Sequence, residues 1–107
     1  MSLLEVNSDN FEQEVINSTQ PVLVDFWGPQ CVPCLALMPE VEALAEKYGD
    51  KLKMVKVEAP KNRRLCLGLK VLSLPTYLFY IGGREIDRLS GSVVTLEAIE
   101  DSIRKLV

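Results

Sequence analysis

Apolar positions along the chain fall into blocks of two periods. Val22 to Trp27 is an almost unbroken apolar run, rich in the β-branched and aromatic residues that suit a strand buried on both faces. Thr76 to Ile81 reads the same way; Gly82-Gly83 follows as a hairpin turn, and Glu85 to Ser90 as the returning strand. Lys51 to Val57 predicts a further strand around Met54, Val55 and Val57, ended by Pro60, and Leu3 to Val6 a short one.

Between these runs the spacing lengthens to three and four. Phe11, Val15 and Ile16 follow the capping cluster Asn7-Ser8-Asp9-Asn10 and predict a first helix. Leu37, Met38, Val41, Leu44, Ala45 and Tyr48 share one face of a long helix from Cys31 to Tyr48, with Gly49 placed to end it. Pro39 falls inside that helix and predicts a kink. Asn62 is a candidate cap for a short helix through Leu69. Thr95 to Leu106 predicts the last helix, with Leu96, Ile99, Ile103 and Leu106 on one side. The order β-α-β-α-β-α-β-β-α describes one α/β domain over residues 1–107, a mixed five-stranded sheet flanked by four helices. Gly82-Gly83 reads as turn chemistry alone.

Composition narrows the function classes. The 107 residues are 48% hydrophobic and 25% charged, a globular balance, and the net charge of −3 disfavours nucleic acid and anionic membranes as partners. No apolar run approaches the roughly 20 residues that span a bilayer. Met1-Ser2-Leu3-Leu4-Glu5 lacks the basic and apolar features of a leader, so a cytoplasmic location is the default expectation. There is no histidine, which removes imidazole bases and Cys/His metal sites. Lys61, Arg63 and Arg64 read as a solvated helix face.

The chemistry concentrates where the central strand ends. Gly28-Pro29 breaks it, and Cys31-Val32-Pro33-Cys34 opens the long helix. In a reducing compartment, a close pair among three cysteines points to a redox dithiol or to half of a metal site. A closed metal site would need a carboxylate or a second subunit, the latter giving a dimeric metal-binding protein. Cys66, between Leu65 and Leu67, is either an inert buried thiol or an exposed regulatory or dimer-forming one.

Several residues together resemble the thioredoxin family over essentially the whole chain. They are Asp25-Phe26-Trp27, Cys31-Val32-Pro33-Cys34, Pro39, Lys56, Leu74-Pro75-Thr76, Gly83 and Gly91. The chain departs from the family pattern at Gln30, where tryptophan is usual, and at Val32, where glycine is usual; it is similar to atypical variants of some anaerobic bacteria. The resemblance implies a thioredoxin fold and a thiol–disulfide oxidoreductase that reduces protein disulfides. It also implies no cofactor beyond the Cys31–Cys34 redox disulfide and recharging by a flavin-dependent reductase. A cis Leu74–Pro75 bond, a partnership of Lys56 with Asp25, and a monomer are further expectations. The contrasting reading is a binding module of the same fold whose dithiol is incidental.

Physical chemistry then suggests roles. At a helix N-terminus Cys31 gains thiolate character. A free thiol of pKa about 8.5 is about 3% ionised at pH 7; ~2 kcal/mol from the helix end would bring that to roughly half. Nucleophilicity falls about fivefold over the same shift, so the net gain is only about threefold, and docking must contribute more. Cys34, one turn on, is placed to attack a mixed disulfide at Cys31. Asp25 interrupts the apolar strand; burial should raise its pKa and let it accept the Cys34 proton. Trp27, Val32, Pro33, Leu74, Pro75, Gly91 and Ser92 are the candidate docking patch. In it, the Leu74 backbone would offer itself to a substrate strand.

Overall fold

The computed structural model describes residues 3–107; Met1 and Ser2, on which the expectation about a leader partly rests, lie outside the described residues. Five strands form one sheet in the order β1-β3-β2-β4-β5: β1 (Leu4–Glu5), β2 (Val22–Trp27), β3 (Lys53–Glu58), β4 (Thr76–Ile81) and β5 (Arg84–Ser90). The three strands β1, β3 and β2 run parallel, whereas β4 is antiparallel to β2 and β5 to β4. The predicted mixed sheet and four helices are found.

Each face of the sheet has its own core. A π-helical turn (Glu12–Ile16) and α2 (Arg63–Gly68) cover one face, where Phe11, Val15 and Cys66 meet Val22, Val24, Phe26, Val55, Val57, Leu78 and Tyr80. On the other face lie α1 (Val32–Tyr48) and α3 (Leu96–Arg104), whose Val41, Leu44, Ile99 and Ile103 meet Leu23, Met54, Tyr77 and Phe79. β2 sits between them and is buried from Val22 to Phe26, which is why its sequence alternates so little.

Local chemistry sets the ends. α1 stops at Gly49, whose positive φ of 52° costs a residue without Cβ little, and the Gly49 N–H donates to the Ala45 carbonyl. In α3, Thr95 Oγ1 accepts the Ala98 N–H at 3.0 Å as a side-chain cap.

Four expectations need correction. The first helix is a π-helical turn: Asn17 N–H donates five residues back to the Glu12 carbonyl, and Asn7 uses its own side chain on the Asp9 and Asn10 N–H groups. β3 begins at Lys53, because Gly49–Lys51 turn as a 3₁₀ helix and leave Leu52 buried. Asn62 stands at the start of α2 without capping it by its side chain. Its Oδ1 accepts the Ser8 N–H at 2.9 Å and its Nδ2 donates to the Glu58 carbonyl at 2.9 Å, tying two loops together. Gly83 does more than turn. A Cβ there would stand 2.6 Å from the Ile16 carbonyl oxygen, so the hairpin tip packs on the π-helical turn through a gap that only glycine leaves.

Candidate active site

Cys31 and Cys34 meet at the carboxyl end of β2. The loop after Trp27 folds back so that the Cys31 N–H donates to the Gly28 carbonyl at 3.0 Å, which fixes the turn into α1. Cys31 is the residue just before α1 and Pro33 lies in its first turn, where a missing N–H costs nothing. The two sulfurs are joined as a disulfide, with Cα atoms 5.3 Å apart, so the structure holds the oxidised state. Cys31 Sγ also accepts the Cys34 N–H at 3.3 Å. The pair is unequal: Cys31 is partly exposed, whereas Cys34 has 0% exposure. One sulfur can be reached from outside and its partner cannot.

The loop before β4 closes over this turn. Leu74–Pro75 is a cis bond. Leu74 Cδ1 would lie 3.2 Å from a Cβ at position 28, so Leu74 packs against the loop that precedes Cys31. The Gly91 N–H donates to the Pro75 carbonyl at 3.0 Å and brings the Gly91-Ser92 turn alongside. Among the described residues neither the N–H nor the carbonyl of Leu74 enters a backbone hydrogen bond, which leaves that peptide edge free for another strand. Of the candidate patch, Val32, Pro33 and Ser92 are exposed, Trp27, Leu74 and Gly91 partly so, and Pro75 is buried. Val93, 60% exposed beside Ser92, belongs to the same turn and was not singled out by the sequence.

Asp25 lies two residues before Trp27 on the α1/α3 face. It has 0% exposure, and neither carboxylate oxygen has a hydrogen-bond partner among the described residues. Burial pushes its pKa up to about 7, against the pull of the Lys56 ammonium. Lys56 is directly opposite Asp25 in the β2–β3 register. Its Nζ, however, lies 3.9 Å from Glu5 Oε1 and 5.5 Å from the centre of the Trp27 ring. Among the described residues the closest charge to Lys56 is therefore Glu5, which sequence reasoning missed because Glu5 stands in another strand 51 positions away. Tyr77 was missed too: opposite Asp25 on β4, its hydroxyl is buried and has no partner among the described residues, and an aromatic strand residue carries no signal of that. Cys66 is buried, its thiol pKa raised by that burial. No three His, Cys, Asp or Glu side chains converge as a metal-binding group among the described residues.

Comparison with known proteins bears on the same residues. The thioredoxin family profile matches residues 2–105. The chain belongs to the thioredoxin family. A thioredoxin of Acetoanaerobium sticklandii is 39% identical over 105 residues, covering 98% of this chain and 100% of the relative. One of Peptoclostridium acidaminophilum is 41% identical over 105 residues, covering 98% and 96%. A protein named Thioredoxin M-type, chloroplastic, of Chlamydomonas reinhardtii is 39% identical over 88 residues, covering 82% and 63%. With a Cys-X-X-Cys pair already at bonding distance, this thioredoxin-family chain is a protein-disulfide reductase, a thiol–disulfide oxidoreductase. The family acts on disulfide-bonded proteins and is reduced by thioredoxin reductase. Among the described residues no helix is long and apolar enough to cross a membrane.

Proposed function

We propose that Cys31 is the attacking sulfur and Cys34 the resolving one. The observation that carries this is the difference in their exposure. In the reduced protein the Cys31 thiolate attacks one sulfur of a substrate disulfide, forming a mixed disulfide and expelling the other sulfur as a thiolate. Cys34 then gives its proton to Asp25 and attacks Cys31 Sγ. The Cys31–Cys34 bond forms, the mixed disulfide breaks, and the substrate leaves with two electrons gained. Asp25 suits this role because a carboxylate with a pKa near 7 can take a proton and return it at neutral pH. Lys56 tempers that affinity through its charge.

The substrate segment docks as an added strand on the free edge of Leu74, over Val32, Pro33, Gly91 and Ser92, with Trp27 and Pro75 packed behind them. A flavin-dependent thioredoxin reductase recharges the dithiol. The protein needs no further cofactor and works as a monomeric electron carrier in cytoplasmic redox homeostasis; the buried free Cys66 fits a reducing compartment.

The test is reduction of a disulfide-bonded protein substrate with dithiothreitol as electron source. Cys31→Ser should lose turnover to the uncatalysed rate. Cys34→Ser should accumulate a mixed disulfide through Cys31 that mass spectrometry locates. A trapped adduct on Cys34 in the Cys31→Ser protein, or wild-type turnover by either variant, overturns the assignment.

A further inference from the structure

Four titratable side chains form one row across the α1/α3 face. Glu5 of β1 is opposite Lys56 of β3, Lys56 opposite Asp25 of β2, and Asp25 opposite Tyr77 of β4. Neighbouring strands lie about 4.7–4.9 Å apart, so each member is within electrostatic reach of the next. Lys56 is the cation of this row, with a carboxylate on each side. It is committed outward: Nζ lies 3.9 Å from Glu5 Oε1, while Asp25 has no ion pair or hydrogen bond among the described residues.

We propose that Glu5 is a positioning residue for the dithiol reaction, holding the Lys56 ammonium at the outer end of the row and so setting how readily Asp25 takes a proton. This rests on Asp25 being the proton acceptor. Glu5 acts twice with the same sign. Its own charge repels the Asp25 carboxylate, and its hold on Lys56 withholds the cation that would stabilise it. Burial raises the proton affinity of Asp25 most, Lys56 lowers it, and Glu5 raises it again.

The remaining groups around Asp25 leave this contrast intact. Tyr77 faces it from β4 as a neutral phenol, its pKa raised by burial and by Asp25. Glu58, two residues beyond Lys56 on β3, pairs with Lys61 at 3.7 Å. α1 contributes Cys34 and the apolar Val41 and Leu44, and α3 contributes Ile99 and Ile103. On β5, Asp87 is taken by Ser102 and Lys105.

The experiment compares wild type, Glu5→Gln and Asp25→Asn by the pH dependence of disulfide reduction and by carboxyl carbon-13 NMR titration of Asp25. Glu5 has a side chain 52% exposed, so the isosteric amide is compatible with the fold. In Glu5→Gln the Asp25 titration should move to lower pH and the acid limb of the rate profile should move with it. Reduction at pH 6 should be about threefold faster than wild type, and unchanged above pH 8, where Asp25 is ionised in both. Raising salt to about 1 M should shrink the difference, because the Glu5 end of the row is exposed to solvent. Coincident Asp25 titrations in wild type and Glu5→Gln overturn the proposal while leaving Asp25 as acceptor. Disulfide reduction by Asp25→Asn as fast as wild type at pH 8, where the Asp25 carboxylate is ionised and ready to accept a proton, overturns both.

Discussion

On the face beneath the π-helical turn and α2, β2 contributes Val22, Val24 and Phe26; Val24 stands between Val55 and Leu78, Phe26 beside Val57, and Val22 beside Tyr80. On the face beneath α1 and α3 the same strand contributes Leu23, Asp25 and Trp27. Adjacent residues of one strand thus enter environments with opposite tolerance for charge. The first face is an apolar core around Val24, and the ammonium on its β3 side, Lys53, is already paired with Glu14 at 2.6 Å. The second ends at the dithiol and carries a cation opposite the carboxylate, together with a neighbouring phenol. Burial of an apolar side chain contributes about 1.5–3 kcal/mol, so a few such residues on the first face offset one buried acid on the second. One face stabilises the domain, and the other is less stable than it could be because it holds reactive groups.

Moving the acid by one residue breaks this comparison most severely. Val24→Asp puts a carboxylate at a position with 0% exposure, opposite Val55 and Leu78. No cation stands directly opposite position 24, the Lys53 ammonium two residues along β3 is already paired with Glu14, and the loss should exceed about 5 kcal/mol. Circular dichroism should find the variant largely unfolded without denaturant. A folded Val24→Asp protein would mean that the two faces do not differ as described.

Removing the acid from its native position should do the reverse. The folded pKa of Asp25, about 7, lies above the unfolded value of 3.8. The folded state therefore retains a proton that the unfolded chain has released, and stability falls as pH rises between those values. Above pH 7 the full cost applies, on the order of 4 kcal/mol. Asp25→Asn should be more stable than wild type by about that amount at pH 8 and about equal to it at pH 3.5. Urea midpoints at the two pH values check both the size and the sign. Equal midpoints at pH 8 would show that Asp25 is not desolvated.

Much of this architecture can be read from the chain, for physical reasons that also mark where reading fails. β2 and β4 are legible because strands buried on both faces leave near-continuous apolar runs, and α3 because its period and Thr95 cap agree. The Glu12–Ile16 turn is misread as α-helix because Phe11, Val15 and Ile16 suit either helical winding. Asn62 is misread as a cap because its side chain answers to Ser8, 54 residues away. At the site, Cys31, Cys34 and Asp25 stand out by residue type against their surroundings. Glu5 and Tyr77 do not, because their relation to Asp25 is set by strand order: β1 and β4 reach the Lys56–Asp25 row through the sheet, and no local pattern encodes that pairing.

The smallest effect compares the two faces with one substitution. Tyr77 and Tyr80 both lie on β4 and are both buried, but they point to opposite sides. Tyr77 has a buried hydroxyl without a partner among the described residues, which costs about 1–3 kcal/mol. Tyr80 packs edge-on against Phe11, with ring centres 6.1 Å apart, and its hydroxyl is not stranded in this way. Tyr77→Phe should therefore stabilise the protein by about 1 kcal/mol, whereas Tyr80→Phe should be near neutral. Both keep the ring, so neither opens a cavity, and paired urea unfolding curves measure the difference directly. If the two variants shift alike, the unpartnered phenol is not a cost peculiar to the Asp25 face. The polar row would then be tolerated because the sheet is indifferent to it, and not because the opposite core compensates.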